Sequence, residues 1–259
     1  MLNEIFARSR PVLIPYVMAG DPDLQTTGLL LDSLQEAGAA AIELGIPYGD
    51  PLADGPTIAA AGVRALRNGT GIAQVLDVVR SRRDSGLPIV LFTYFNPVLQ
   101  YGIERFAADA ALAGAAGVIV PDIALEEGAS LREALQRNDL EMPLLVAPST
   151  TPERAARIAG ASSGFIYVVS RLGVTGAGDA PDFTPLLDQL AMLRQLTPKP
   201  LAVGFGISKR EHVAAVSGAA DGIIVGSALI DAYRGATDRE AARRAGEFLR
   251  SLGTAAPAK

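Results

Sequence analysis

Residues 12–47 of the chain read VLIPYVMAGDPDLQTTGLLLDSLQEAGAAAIELGIP and contain the smallest unit that the rest of the sequence repeats. The runs at either end, 12–20 and 40–47, are apolar at nearly every position, which is typical of parallel strands buried on both faces. Between them, residues 24–37 place apolar side chains three or four positions apart, as one face of an amphipathic helix does. The stretch therefore predicts a strand, a helix and a second strand parallel to the first.

The same alternation continues along the chain. Six further apolar runs raise the number of predicted strands to eight: 88–94, 117–122, 142–148, 164–170, 200–206 and 221–227. Helical periodicity lies between them, for example at 72–83, 125–137 and 209–216. Eight strand–helix units in a chain of this length close most simply into a (β/α)8 barrel, also called a TIM barrel. No linker rich in Pro, Gly or Ser divides them, so we predict a single barrel domain over residues 1–259.

An open, doubly wound sheet is the alternative architecture for such a pattern. It is disfavoured because the turn after the first strand, Ala19-Gly20-Asp21-Pro22, lacks the GxGxxG fingerprint of those sheets, and because eight repeats favour closure. Residues Leu2–Arg10 precede the first strand. We predict that they form a short helix that caps the bottom of the barrel.

The composition excludes several classes of protein. With 23 Lys and Arg against 28 Asp and Glu, the net charge is −5, and the scattered basic residues disfavour a nucleic-acid partner. The chain has no cysteine and one histidine, so we expect no metal site of the usual ligand types. That histidine, His212, lies in a charged helical stretch and is interpreted as a surface residue. The apolar stretches are shorter than the ~18 residues that span a bilayer, and we expect a cytoplasmic protein with no membrane partner.

Two carboxylates lie where a barrel carries its chemistry, at the C-terminal ends of the strands and in the loops that follow. Glu43 has apolar neighbours in the second predicted strand, where an ionised carboxylate is costly. Either it pairs with an Arg or Lys from another strand, or apolar walls raise its pKa and suit it to general acid–base catalysis. Asp54 follows in the loop 48–56, between Pro51 and Pro56. Taken by itself, Asp54 is better explained as a turn or helix-capping residue.

Glycines at the last two strand ends predict a phosphate site. Gly204-Phe205-Gly206 ends the seventh strand and Gly226-Ser227 the eighth, and the loops at these positions are the usual phosphate site of such barrels. Glycine lets backbone N–H groups approach an anion closely. The segment 170–177 adds glycines and hydroxyl donors on the same side.

Two long loops, 48–56 and 171–182, are predicted to act as lids. The side chains of Phe92, Tyr94, Ile119 and Tyr167 are predicted to form an apolar mouth for a flat ring.

The motifs at these strand ends are PYV (15–17) with GDP (20–22), ELGIP (43–47), DPLADGPTI (50–58), SR (170–171) with GVTGA (173–177), and GFGIS (204–208). Together, from Leu2 to Leu252, the chain closely resembles the tryptophan synthase alpha subunit family. The resemblance implies a (β/α)8 barrel that cleaves indole-3-glycerol phosphate to indole and glyceraldehyde 3-phosphate. It also implies that Glu43 and Asp54 are the catalytic carboxylates.

The resemblance assigns further roles. It implies that Gly176, Gly206, Gly226 and Ser227 bind phosphate, and that the indole pocket is lined by Phe92, Tyr94, Ile119 and Tyr167. Thr175 would position Asp54 as the lid closes, and Tyr16 and Phe205 would complete the substrate-binding set. The implied partner is a beta subunit in an alpha2beta2 complex, which holds pyridoxal phosphate, while no cofactor belongs to this chain. The sequence departs from the family pattern at Gly49, Ala59 and Ala124, with Tyr48 where Phe is commoner, and neither carboxylate is affected.

Cleavage of this substrate requires three proton movements: onto indole C3, at the ring nitrogen, and off the hydroxyl of the adjacent carbon. We assign the first and third to Glu43, and the indole N–H to Asp54, which stabilises its developing positive charge. Schiff-base chemistry is disfavoured because no lysine lies in a predicted strand. The alternatives are another phosphosugar barrel, such as an isomerase or cyclase, a free-standing indole-releasing lyase, or a silent partner that activates a beta subunit. Retention of both carboxylates argues against the last.

Overall fold

A computed structural model describes residues 2–7, 11–170, 182–204 and 206–253. Its eight strands are β1 (Val12–Met18), β2 (Ile42–Gly45), β3 (Ile89–Phe92), β4 (Gly117–Ile119), β5 (Leu144–Val146), β6 (Ile166–Val169), β7 (Leu201–Gly204) and β8 (Gly222–Val225). They pair in parallel in the order β4-β3-β2-β1-β8-β7-β6-β5. The edge strand β4 is bridged to Glu141, three residues before the other edge strand β5, where the N–H of Val118 donates to the carbonyl oxygen of Glu141 at 2.8 Å. The sheet is therefore a nearly closed barrel.

Helices alternate with the strands and cover the barrel. They are α1 (Leu24–Glu36), α2 (Pro56–Arg67), α3 (Ile72–Ser81), α4 (Phe95–Tyr101), α5 (Ile103–Ala113), α6 (Ala129–Arg137), α7 (Pro152–Ala161), α8 (Thr184–Leu196), α9 (Arg210–Val216), α10 (Ser227–Tyr233) and α11 (Asp238–Leu252), with a short 3-10 turn at Arg83–Ser85. The strands are buried on both faces, and the core lies between them and the apolar helix faces. The prediction of a (β/α)8 barrel is confirmed. Within the described chain, no helix is both long and apolar enough to cross a membrane.

Most helix boundaries agree with the hydrophobic pattern to within a residue or two. The helix α1 begins at Leu24, as the pattern predicts, and Asp23 caps it: the Asp23 carboxylate accepts the N–H of Thr26 at 2.6 Å and satisfies one of the free donors of the first turn. The exception is α6, predicted from residue 125, which begins at Ala129. The chain makes a separate turn first, closed by a bond from the N–H of Gly128 to the carbonyl oxygen of Ala124 at 3.0 Å.

The segment before β1 caps the bottom of the barrel, as predicted, but as a 3-10 helix at Leu2–Ala7. The Phe6 side chain is 1% exposed, lies against the first residue of β8, Gly222, and meets the ring of Phe165 edge-on at 5.7 Å. The N–H of Leu2 donates to Glu141 Oε2 at 2.9 Å, beside the bridge from Glu141 to β4. The cap therefore fills the N-terminal end of the barrel and leaves the opposite end for a ligand.

The interpretation of His212 as a surface residue is wrong. Its side chain is buried, with 6% of the residue exposed, because α9 turns His212, Val213 and Val216 toward the protein. The imidazole packs against the ring of Phe183, with a distance of 5.6 Å between the ring centroids. The charged neighbours in the sequence belong to the other face of this short helix.

Candidate active site

Glu43 lies inside the barrel, and none of the described residues provides a counter-ion. It is in β2, in register with Tyr16 on β1 and Val90 on β3, and is 1% exposed. Within the described part of the chain, no Arg or Lys pairs with its carboxylate and its Oε2 atom has no hydrogen-bond partner. Burial, and then the charge of Asp54, raise the pKa of Glu43 to about 8. The ion-pair explanation is thus wrong, and the carboxyl group is protonated at neutral pH.

Asp54 lies in the loop between β2 and α2, and a tyrosine holds it there. The hydroxyl of Tyr94 donates to Asp54 Oδ1 at 2.9 Å and accepts the N–H of Ala53 at 3.1 Å. Partial burial raises the pKa of Asp54, whereas the bond from Tyr94 lowers it. Asp54 does not cap α2: the N-cap residue is Gly55, and no side chain bonds to the first turn. The capping interpretation is therefore wrong, because the carboxylate faces Tyr94 instead.

A second tyrosine extends this contact to the next loop. The rings of Tyr48 and Tyr94 pack with their centroids 5.4 Å apart, and the Tyr48 hydroxyl accepts the side-chain N–H of Asn96 at 3.0 Å. Asn96 lies in the first turn of α4. The sequence shows Tyr48 as a departure from the family pattern. The spacing of residues along the chain could not show that Tyr48 contacts Tyr94 and Asn96. The loop that contains Asp54 is thus bound both to Tyr94, the N-cap residue of α4, and, through Tyr48, to the first turn of that helix.

Both carboxylates line one cavity at the C-terminal end of the barrel. Among the described residues, its walls are formed by Tyr16, Glu43, Asp54, Gly55, Ile58, Phe92, Tyr167, Gly206, Ile207, Ile224, Gly226 and Ser227. Four of these were not singled out from the sequence: Gly55, Ile58, Ile207 and Ile224. Two predicted pocket residues are not among them. Tyr94 is engaged with Asp54, and Ile119 is 1% exposed in the core, in register with Phe92.

Two tyrosines on opposite parts of the sheet enter this cavity because each lies over a glycine of the neighbouring strand. A Cβ atom added to Gly45 would lie 2.1 Å from the hydroxyl oxygen of Tyr16. A Cβ atom added to Gly204 would lie 2.4 Å from that of Tyr167. Burial, with the nearby carboxylates, raises the pKa of both tyrosines well above the ordinary value, so they stay neutral. They therefore form uncharged walls on either side of the acidic pair.

The glycines predicted to bind phosphate lie at the rim of the same cavity. Gly206 is exposed and has a backbone φ of +84°, a conformation that favours glycine. Gly226 precedes α10 and Ser227 begins it, so N–H groups without helical acceptors face this side. Thr175, Gly176 and Phe205 lie outside the described residues, as does nearly all of the predicted lid 171–182. The described part of the chain contains no group of three or more His, Asp or Glu residues placed to hold a metal ion.

A parallel barrel with a buried acid, a second carboxylate on an adjoining loop and two glycine-containing loops around one cavity has the features of an enzyme. Acid and base groups of different pKa serve proton transfer, and the glycine loops suit a substrate with an anionic group. The fold and site therefore define the class as an acid–base enzyme of the (β/α)8 barrel type, acting on a small anionic molecule.

Comparisons with known proteins identify the family. The sequence model of the family described as tryptophan synthase alpha chain matches residues 2–255. The tryptophan synthase alpha chain of Synechococcus sp. (strain CC9902) is 49% identical over 256 residues, covering 98% of this chain and 95% of the relative. Tryptophan synthase subunit alpha of Legionella pneumophila str. Paris has a similar structure, with a TM-score of 0.87, 36% identity, and coverage of 97% of this chain and 94% of that one. The chain belongs to the tryptophan synthase alpha chain family.

The raised pKa of Glu43 predicts that stability depends on pH. A carboxyl group whose pKa is higher in the folded state contributes stability that is fully present below its unfolded pKa, about 4.3, and is lost as the pH rises through its folded pKa. Here the folded pKa is about 8. Glu43→Gln keeps the shape but cannot ionise. Relative to E43Q, we expect the free energy of unfolding of the wild type to fall by up to about 1.4 kcal/mol per pH unit between about pH 5 and pH 8.

Urea denaturation of both proteins at matched pH values measures this difference, and the other carboxylates cancel because they are common to the two proteins. If the free energies of unfolding of the two proteins differ by the same amount at every pH from 5 to 8, the Glu43 carboxyl group ionises as freely in the folded as in the unfolded chain.

Proposed function

We propose that Glu43 and Asp54 catalyse the retro-aldol cleavage of indole-3-glycerol phosphate to indole and glyceraldehyde 3-phosphate. The chain is a carbon–carbon lyase of tryptophan biosynthesis, as its family membership establishes. What this proposal adds is the assignment of the reaction to residues. The observation that carries it is that one cavity contains a buried acid of pKa about 8 and a second carboxylate, with two glycine loops at its rim.

The two carboxylates have different tasks because their environments differ. Glu43 is protonated at neutral pH and donates its proton to indole C3, which places positive charge on the ring nitrogen. Asp54, half-buried and bonded to Tyr94, stabilises that charge as a carboxylate at the indole N–H. Glu43, now ionised, accepts the hydroxyl proton of the adjacent carbon as the carbon–carbon bond breaks and its electron pair returns to the ring. Glu43 thereby regains its proton, and the products are indole and the aldehyde.

The substrate lies between these groups in an orientation that the cavity supports. The aromatic side chains of Tyr16 and Phe92, which meet edge-on at 5.8 Å, and the buried ring of Tyr167 suit the flat indole. We assign the phosphate group to Gly206, Gly226 and Ser227 at the rim, with Gly176, Thr175 and Phe205 retained as predicted contacts.

Removing either carboxylate should abolish most of the activity without unfolding the protein. A general acid or base contributes about 10²- to 10⁴-fold, so Glu43→Gln and Asp54→Asn should each lower the rate of indole release by at least about 100-fold. Asp50→Asn is a matched control, since Asp50 is an exposed carboxylate of the same loop. Indole release from the isolated chain, with thermal unfolding as a check on folding, measures this. A near-normal rate in E43Q or D54N would remove that residue from the mechanism.

The bond from Tyr94 should set the pH at which Asp54 becomes active. Because this bond lowers the pKa of Asp54, Tyr94→Phe should raise that pKa and move the acid limb of the kcat/KM profile to higher pH. Tyr48→Phe removes the neighbouring hydroxyl, which bonds to Asn96 and not to Asp54, and should leave the limb in place. An acid limb at the same pH in Y94F and the wild type would mean that Asp54 does not control it.

We also propose that the chain assembles with a beta subunit, which holds the pyridoxal phosphate that this chain does not need. A Pyrococcus furiosus structure described as the tryptophan synthase a2b2 complex has a TM-score of 0.85 to this chain, with 37% identity and coverage of 94% of this chain and 98% of that one. Leu52 is 80% exposed in the loop that contains Asp54, on the active face, and we propose that it contacts the beta subunit. The cytoplasmic location stays a prediction.

Co-purification of a tagged chain with its beta subunit tests this assembly. Leu52→Asp should reduce the amount retained about tenfold or more, because it places a charge in an apolar contact. Leu112→Asp is the control, since Leu112 is 65% exposed on α5, away from the loop of Asp54. Equal retention of the beta subunit by L52D and the wild type would place the interface elsewhere, and a wild-type chain that elutes alone would contradict the assembly.

A further inference from the structure

His212 is the one histidine of the chain, and the proposed reaction does not use it. It is 6% exposed, and its Nδ1 atom accepts the backbone N–H of Ser208 at 3.3 Å. Its ring packs at a tilt of 57° against the ring of Phe183, the residue that precedes the first turn of α8. A buried polar ring is therefore bonded to the loop between β7 and α9 and packed against the start of the preceding helix.

That loop is one of the two described segments that we assign to phosphate. Gly206 lines the cavity and Ser208 follows it by two residues. The bond from Ser208 to His212 fixes the orientation of the peptide group between Ile207 and Ser208. This peptide group in turn restricts the directions in which the neighbouring backbone N–H groups of the loop point. The imidazole is itself held by α9, whose inner face is anchored by buried Val213 and Val216. The loop is thus bound to a helix that is anchored in the core.

We propose that His212 is a positioning residue for the substrate phosphate: its imidazole, accepting the Ser208 N–H, holds the β7–α9 loop so that Gly206 faces the anion. This inference rests on the phosphate site proposed above. To accept at Nδ1, the neutral ring must have its proton on Nε2. The Nε2 atom lies 3.9 Å from Glu211 Oε1, beyond hydrogen-bond distance. Glu211 in turn lies 3.5 Å from Lys209 Nζ, so the bond from Ser208 sets the tautomer.

Substitutions that differ only in accepting ability test the proposal on the full chain. The side-chain oxygen of Gln can replace Nδ1 as an acceptor, whereas Leu has a similar size and cannot accept. His212→Leu should raise the KM for indole-3-glycerol phosphate and the inhibition constant of inorganic phosphate about three- to tenfold, the effect of one hydrogen bond. The kcat should change less than about twofold, because the bond acts on binding in the ground and transition states alike. His212→Gln should restore both constants, and the control Glu211→Gln, an exposed neighbour, should not change them.

The outcomes separate this inference from the site on which it rests. If inorganic phosphate inhibits the wild type and H212L equally, the phosphate site stands and the role of His212 is overturned. If inorganic phosphate does not inhibit the wild type, the phosphate site itself is wrong, and the proposal with it. A kcat that falls in H212L with an unchanged KM would also overturn the positioning role.

A spectroscopic readout keeps the proposal testable if H212L fails to fold. Because the chain has a single histidine, the ¹⁵N NMR spectrum of the wild type contains one imidazole. The bond from Ser208 requires an unprotonated Nδ1 with the ring proton on Nε2, and we expect the Ser208 amide resonance to shift when inorganic phosphate is added. A proton on Nδ1 would be incompatible with the bond from Ser208 and would overturn the proposal.

Discussion

The active face of this protein depends on keeping one carboxyl group, that of Glu43, inside an apolar barrel where no described residue pairs with its charge. Burying a charged carboxylate in this way costs several kcal/mol, so the group keeps its proton and its pKa rises. A paired Arg or Lys would stabilise the ionised form of Glu43 and lower its pKa, so the group would no longer carry a proton at neutral pH. The absence of a paired Arg or Lys among the described residues is therefore what makes Glu43 useful at neutral pH.

The barrel tolerates this buried acid because its strands hold it in one place. Glu43 lies between Tyr16 and Val90 in a parallel register, and the barrel below it is closed by the Leu2–Ala7 helix. Asp54 is held differently, by hydrogen bonds and ring packing in a loop that connects two secondary-structure elements. A carboxyl group fixed in a strand and one carried by a loop differ in environment, and this difference gives them different roles.

Much of the fold and part of the site could be predicted because they depend on local pattern. Apolar runs identify parallel strands, and a single carboxylate in such a run identifies Glu43 as unusual before any coordinates are seen. Side-chain contacts between distant residues have no such signal. Tyr94 was expected in the apolar mouth, yet its hydroxyl bonds to Asp54, 40 residues away in sequence. The sequence pattern put His212 on the surface because its neighbours in sequence are charged, but those charges lie on the opposite face of a helix of seven residues.

Tyr94 and His212 share a physical feature, which indicates how the rim is organised. Tyr94 and His212 each belong to a segment that follows a strand, and each uses one polar atom to hold a loop that faces the ligand. The rest of each ring is packed against another ring, Tyr48 for Tyr94 and Phe183 for His212. A side chain in this role needs both an apolar ring, which packs in the protein, and a polar atom, which bonds to a backbone group or a carboxylate. Composition and periodicity classify such a residue by one property alone, and for that reason the sequence pattern put His212 on the surface and gave no sign that Tyr94 bonds to Asp54.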